Sequence, residues 1–169
     1  GKSIVTIEGL SEREKAVYTY AFGECGAVQC GFCIPGMIIS AKVLIDENND
    51  PTPDDVKKAI LGNICRCTGY VKIEEGIMLA AKMIRENLPV PEKDTNAAVG
   101  ARLHRVDAEE KALGTGKYAD DIHMDGMIYA KALRSKYPRA RVDRVDVSKA
   151  LEHPACVTAL TAADVPFNK

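Results

Sequence analysis

The chain has 169 residues, of which 46% are apolar and 28% charged, and its formal net charge is −1. This composition is ordinary for a folded globular protein, and the near-zero charge gives no general argument for binding nucleic acid or an anionic membrane. There is no run of 18 apolar residues and no visible signal peptide, so the six cysteines favour metal binding or catalysis over disulfides. We therefore expect a cytoplasmic protein of one large domain or two small ones.

The first 45 residues predict a strand and two helices. Residues 1–10 alternate in polarity as a short strand does, and such a strand needs a partner to be stable. Ser11 and Glu14 form a capping-box pattern, which predicts a helix that ends near Gly23. A second, largely apolar helix is predicted over residues 35–45.

Two further helices are predicted before residue 89. Thr52 followed by Pro53 is a helix start, and the pair Gly62-Asn63 ends that helix. The fourth helix has an apolar stripe at a spacing near 3.6 residues, made of Ile73, Ile77, Ala80, Ala81, Ile84 and Leu88. The four helices predict a small bundle over residues 11–88.

The character of the sequence changes after the predicted bundle. Residues 89–113 are polar with little periodicity and predict a linker. Within residues 114–169, the segments 127–133, 141–147 and 157–160 have the composition of strands. We therefore expect the fold to be a helical domain, a linker and the beginning of an α+β domain.

Four of the six cysteines lie in two tight pairs, a C-x2-C motif at residues 30–33 and a C-x-C motif at residues 65–67. Each pair precedes a predicted helix start, with Pro35 suited to a first turn and Thr68 to an N-cap. Helix N-termini direct free N–H groups and positive dipole ends toward negative charge, which a metal-bound thiolate cluster carries. The arrangement favours an iron–sulfur site.

The ligand set has two possible compositions. Cys25 extends the first motif to C-x4-C-x2-C, the spacing of plant-type [2Fe–2S] proteins. We favour Cys30, Cys33, Cys65 and Cys67, because two dithiolate pairs suit two irons and each pair lies at a helix entrance. We interpret Cys25, like the isolated sixth cysteine near the C-terminal end, as a small buried apolar residue.

Zinc is the competing metal, because two cysteine pairs also make structural zinc sites. Zinc motifs usually place two to four residues within each pair, so the C-x-C pair is less typical of zinc. Under the zinc interpretation, the chain is an interaction module without a redox role. Spacing favours iron–sulfur but leaves both metals open.

These motifs carry a family resemblance. Residues 26–33 with Pro35-Gly36-Met37, and then residues 62–70, resemble the second [2Fe–2S] domain of the molybdenum hydroxylases, which include xanthine dehydrogenases and aldehyde oxidoreductases. The later part of the sequence resembles the start of the hammerhead-like, molybdenum-binding part of the same enzymes. The resemblance lies in residues 114–121, 127–135 and 161–166. Within the family, the chain is most similar to bacterial selenium-dependent xanthine dehydrogenases.

The resemblance implies specific roles for five residues. It implies that Cys30, Cys33, Cys65 and Cys67 bind a [2Fe–2S] cluster and that Cys67 lies nearest the amine of a molybdopterin. It also implies that Gln29 contacts this pterin. Such enzymes hydroxylate heterocycles or aldehydes, and their electrons pass from molybdenum through [2Fe–2S] clusters to an acceptor.

The resemblance also implies partners. We expect an upstream ferredoxin-like [2Fe–2S] domain, of which residues 1–10 are the last strand, and downstream molybdenum-binding domains that hold the catalytic residues. A flavin subunit is a further possible partner. On this interpretation the chain belongs to an oxidoreductase but is not catalytic by itself.

Overall fold

The computed structural model describes residues 1–92, 98–101 and 103–167. Among these residues, no helix is long and apolar enough to cross a membrane. Short 3-10 turns lie at Ile7–Gly9, Ala119–Asp121 and Ala162–Asp164. The α-helices are α1 (Glu12–Glu24), α2 (Ile34–Glu47), α3 (Pro53–Ala59), α4 (Tyr70–Arg85), α5 (Ala108–Ala112) and α6 (Ser148–Leu151).

Two of the helices begin at capping boxes. At α1, the Ser11 hydroxyl accepts the Glu14 N–H at 3.3 Å, and the Glu14 carboxylate accepts the Ser11 N–H at 2.8 Å. At α3, Thr52 and Asp55 make the same reciprocal pair at 3.3 and 2.9 Å. Each cap satisfies N–H groups that have no partner inside the helix and contributes about 1 kcal/mol. Both predicted helix starts are confirmed.

The expected four-helix bundle is confirmed. Helix α4 packs along α1, and Gly76 allows close approach, since a Cβ there would lie 3.4 Å from Cδ2 of Phe22. Helix α2 contacts α3 and α4 and places its apolar face in the same core. The largest fully buried side chains of this core are Tyr18, Phe22, Ile34, Met37, Ile38, Ile73, Ile77, Val17 and Val56.

Helix α5 lies inside the segment that the sequence predicts to be a linker. It packs against α1 and α2 and buries Ala108, Lys111 and Ala112. Five residues are too few to show helical periodicity, and a buried lysine does not look like a core residue in a sequence. The first of two structural units therefore extends from residue 1 to residue 118.

The strand prediction for residues 1–10 is wrong in the described structure. Residues 1–6 form no regular element, and a 3-10 turn follows at Ile7–Gly9, with Ile7 and Leu10 buried against the bundle. A strand must pair its N–H and C=O groups with a neighbouring strand. The alternating pattern alone cannot supply that neighbour.

The second structural unit comprises residues 119–169. The strands predicted at 127–133, 141–147 and 157–160 are not formed within its described residues. Most of the large apolar side chains of these segments are exposed, as is expected of strand-like segments that have no partner to pair with.

Candidate metal centre

The first cysteine pair lies in the loop between α1 and α2. Cys30 is exposed, and the next residue, Gly31, is buried with a φ of +88°, a backbone conformation that favours glycine. The Gly31 carbonyl accepts the Ile34 N–H at 3.1 Å. Cys33 is the N-cap residue of α2, and Pro35 occupies the first turn as predicted. The loop thus delivers both thiols at the start of a helix.

The second cysteine pair lies between α3 and α4. The N–H of Cys65 donates to the Tyr70 hydroxyl at 2.8 Å, and that hydroxyl donates to the Asn63 carbonyl at 3.1 Å. The predicted N-cap role of Thr68 is wrong: Gly69 is the N-cap of α4, and Thr68 has a φ of +57°. This left-handed residue turns the chain between the second thiol and the helix.

The four thiols meet in two pairs, and each pair joins one loop to the other. The Cys30 thiol interacts with that of Cys67, and the Cys33 thiol with that of Cys65, and each interaction shifts a thiol pKa. No group of three or more His, Cys, Asp or Glu side chains within the described ranges is arranged to hold a single metal ion. Two dithiol pairs are the donor set for a binuclear cluster in which each iron takes two thiolates.

Backbone N–H groups and burial act in opposite directions on these thiols. The Phe32 N–H, followed by the Cys67 thiol, lowers the pKa of Cys30. Burial raises the pKa of Cys33 to about 12, with the Cys65 thiol adding to the effect. Burial also acts to raise the pKa of Cys65, but hydrogen bonds from the backbone at Gly69 and at the two residues before it outweigh burial, so this pKa is lowered. Ligand loops rich in inward N–H groups are suited to a negatively charged cluster.

Gln29 lies beside the second ligand loop. Its side chain is exposed, and its Nε2 atom lies 2.8 Å from the position a Cβ would take on Gly69. Gln29 therefore lies against the loop that joins the second cysteine pair to α4. A side chain larger than hydrogen at position 69 would have to displace Gln29.

The other two cysteines lie elsewhere. Cys25 is the C-cap residue of α1 and lines a cavity of about 350 Å³ together with Lys72 and His104. Cys156 lies in the second unit, where its thiol donates to the Thr158 carbonyl at 3.5 Å. Both cysteines are half-buried rather than buried as predicted.

Known domain families match both parts of the chain. Residues 6–78 match the [2Fe-2S] binding domain, and residues 113–169 match the a/b hammerhead domain of aldehyde oxidase and xanthine dehydrogenase. The chain belongs to the molybdenum hydroxylase family. The first match decides between the two metals that spacing left open, because it identifies a [2Fe–2S]-binding domain.

Curated members of the molybdenum hydroxylase family are similar over different lengths. The nicotinate dehydrogenase small FeS subunit of Eubacterium barkeri is 48% identical over 81 residues, which are 47% of this chain and 52% of that subunit. The aldehyde oxidoreductase of Megalodesulfovibrio gigas is 33% identical over 98% of this chain and 19% of its own length. The chain therefore spans about half or less of these relatives.

Solved structures of aldehyde oxidoreductases share the fold. The alignment with the enzyme from Desulfovibrio gigas covers 69% of this chain and 14% of the enzyme's chain, at a TM-score of 0.58 and 36% identity. The enzyme from Desulfovibrio desulfuricans covers the same shares at a TM-score of 0.59 and 34% identity.

Three residues that contact the candidate metal centre were not identified from the sequence. Tyr70 holds the Cys65 backbone, Lys111 covers Gly31, and Tyr118 donates from its hydroxyl to the Cys30 carbonyl at 2.7 Å. Tyr70 follows the second motif directly, so its position is a signal that could have been used. Lys111 and Tyr118 are more than 75 residues from the loop that they contact, and no local pattern indicates such a contact.

Proposed function

We propose that this chain is the electron-transfer segment of a molybdenum-dependent hydroxylase. One observation carries the proposal: within a [2Fe–2S]-binding domain, two loops bring four thiols together as two cross-loop pairs. The bound cluster would supply one-electron redox chemistry. The substrate class is an aza-heterocycle or an aldehyde, as the names of the relatives suggest.

The proposed ligands divide into two pairs. Cys30 and Cys67 would hold one iron, and Cys33 and Cys65 the other, because these are the thiols that interact pairwise. Cys65 is 7% exposed, whereas Cys30 is open to solvent. The Cys30–Cys67 iron would therefore lie nearer the surface, and the other iron nearer the core.

Gln29 has a separate proposed role. It lies next to Gly69 and is exposed, so its amide is available for hydrogen bonds to a group outside the bundle. We assign it as a contact to the molybdopterin of the complete enzyme and Cys67 as the ligand closest to that pterin. Electrons would then enter the cluster on the Cys67 side.

The complete enzyme has several domains or subunits under this proposal. A ferredoxin-like [2Fe–2S] domain and molybdenum-binding domains are the proposed partners, with a flavin subunit as a further one. The match of residues 113–169 to a hammerhead domain supports a molybdenum-binding part that continues from this chain.

The proposal is tested by metal and spectroscopic analysis of the full chain expressed under anaerobic conditions. We expect about two irons and two labile sulfides per chain, a red-brown colour and a rhombic EPR signal after dithionite reduction. A colourless chain that contains zinc instead would overturn the proposal and restore the zinc-stabilised module as the interpretation.

A further inference from the structure

Helix α5 packs directly on the first ligand loop. A Cβ atom on Gly31 would lie 2.5 Å from Cβ, 2.8 Å from Cγ and 3.0 Å from Cδ of Lys111. The aliphatic part of Lys111 therefore covers the backbone between Cys30 and Cys33. Lys111 itself is only 9% exposed, which is unusual for a lysine.

The ammonium of Lys111 belongs to a cluster of three charges. Its Nζ lies 2.7 Å from Oδ2 of Asp107, and Asp107 also pairs with the guanidinium of Arg105. Two cations and one anion leave a net charge of about +1 at this point. We call Arg105, Asp107 and Lys111 the charge triad.

Tyr118 connects the charge triad to the ligand loop. Its hydroxyl donates to the Cys30 carbonyl at 2.7 Å, and Lys111 Nζ lies 5.8 Å from its ring centroid. Lys111 thus has two contacts beside the loop: its aliphatic stem lies against Gly31, and its ammonium lies near the ring of Tyr118.

The triad lies close enough to the ligand loop to act on charge there. The Lys111 stem covers Gly31, and Tyr118, whose ring centroid lies 5.8 Å from Lys111 Nζ, donates to the Cys30 carbonyl. A net positive charge at this place favours negative charge at the exposed end of the site.

We propose that the charge triad sets the reduction potential of the [2Fe–2S] cluster by holding a net positive charge against the Cys30–Cys33 loop. The inference rests on the proposed function, since it requires the cluster. Reduction adds one electron to the cluster and makes or breaks no bond, so the reduced state carries one more negative charge. A fixed positive charge nearby stabilises that state and raises the potential.

Two substitutions in the triad separate charge from packing. Lys111→Met keeps most of the stem over Gly31 and removes a positive charge, whereas Asp107→Asn keeps the shape and removes a negative one. Both break the same ion pair, so a purely structural role predicts similar effects. The proposal predicts opposite shifts: a lower midpoint potential for Lys111→Met and a higher one for Asp107→Asn.

The measurement is a redox titration of the cluster-loaded full chain, followed by EPR, with iron and sulfide analysis of each sample. One charge at short range should change the equilibrium constant for reduction about three- to tenfold, which is up to about 59 mV for one electron. The control is Lys15→Met, which also removes a lysine charge from an ion pair. Lys15 lies in the first turn of α1, at the opposite end of that helix from the ligand loop.

The outcomes distinguish the two proposals. Opposite shifts at full iron content, with no shift in the control, support the triad's role. Equal or absent shifts at full iron content overturn that role and leave the proposed function intact. If Lys111→Met does not load iron, Asp107→Asn still decides by the sign of its shift. An unmodified chain that takes up no cluster overturns the proposed function itself.

Discussion

The hydroxyl of Tyr70 accepts a hydrogen bond from the N–H of Cys65 at 2.8 Å and donates one to Asn63 at 3.1 Å. One side chain from the first turn of α4 thereby fixes the backbone of Cys65, the one cysteine of the two pairs that is buried as a residue. Asn63 in turn accepts from the Ser40 hydroxyl at 2.8 Å, so the second ligand loop is also tied to α2.

Tyr70→Phe should weaken the second ligand loop without removing a ligand. The change leaves the Cys65 N–H and the Asn63 carbonyl without this partner, which costs about 1–3 kcal/mol. We expect a lower melting temperature and faster loss of iron to a chelator at unchanged initial iron content. Tyr137→Phe, at an exposed tyrosine of the second unit, is the control and should change neither quantity. Unaltered chelation kinetics in Tyr70→Phe would contradict the assigned role.

The six cysteines should fall into two groups when changed to serine. We expect substitution of Cys30, Cys33, Cys65 or Cys67 to weaken or abolish loading with iron and sulfide. Cys25→Ser and Cys156→Ser serve as controls and should load normally. The measurement is iron and sulfide per chain for all six variants. Loss of the cluster in Cys25→Ser would instead favour the C-x4-C-x2-C ligand set.

Gly31→Ala should be more damaging than alanine at another glycine of positive φ. Gly31 has a φ of +88° and would place its new Cβ 2.5 Å from Lys111, whereas Gly26 has a φ of +64° and open space around the Cβ position. Gly26→Ala therefore measures backbone strain alone, about 1–2 kcal/mol. We expect Gly31→Ala to lose at least about 1 kcal/mol more, because overpacking adds to strain.

Chemical denaturation of the two variants is the direct measurement of that difference. An equal free energy of unfolding for Gly31→Ala and Gly26→Ala would show that Lys111 moves aside without cost. It would also remove the tight contact on which the position of the charge triad depends.

The pair between Glu14 and Lys42 should make stability depend on pH in the acid range. Burial acts to raise the pKa of Glu14, but hydrogen bonds from Lys42 and Ser11 outweigh it and lower this pKa to about 2. A lowered carboxyl pKa stabilises the fold above the unfolded value of 4.5, and the stabilisation is lost as pH falls from 4.5 toward about 2.

Glu14→Gln tests the acid dependence, because glutamine keeps a capping side chain and removes the charge. We expect it to cost about 1–2 kcal/mol at pH 7, after allowance for partial exposure of the pair, and much less at pH 3. Glu12→Gln, at the exposed partner of Lys15, should cost less than about 0.5 kcal/mol at both pH values. A pH-independent cost for Glu14→Gln would show that the charge is not responsible.

The features that the sequence predicted are those specified by neighbouring residues. The caps at Ser11 and Thr52 depend on contacts within a few residues, and both are confirmed. Of the predicted apolar stripe of α4, Ile73, Ile77, Ala80 and Ala81 are buried, whereas Ile84 is half-buried and Leu88 lies beyond the end of the helix. The strands failed because a strand requires a partner, which a single segment cannot specify. Helix α5 was missed because it is short and its burial depends on a lysine stem.

The sequence predicts which cysteines make up the candidate site but not how they pair. The two motifs indicate four ligand cysteines, but spacing does not show that Cys30 meets Cys67 and Cys33 meets Cys65. That pairing depends on how α2 and α4 are oriented in the bundle. The Thr68 prediction failed for a related reason, since the loop turns through a left-handed residue and Gly69 takes the cap position.

Gln29→Ala tests whether the exposed Gln29 amide, beside Gly69, supports the cluster or contacts a cofactor outside the bundle. Gln29 is not a ligand, so in the complete enzyme the iron content should stay unchanged. We expect lower molybdopterin occupancy or slower reduction of the cluster by substrate, because a hydrogen bond worth about 1–3 kcal/mol is lost.

The competing role for Gln29 is to support the second ligand loop. Its Nε2 atom lies 2.8 Å from the position that a Cβ would take on Gly69, next to that loop. In that case the same substitution would lower iron content first, and the isolated chain would show the loss as clearly as the complete enzyme. Rapid-mixing measurement of cluster reduction, with metal analysis of the same sample, separates the two roles. Full iron content, normal molybdopterin occupancy and unaltered reduction kinetics would assign neither role to Gln29.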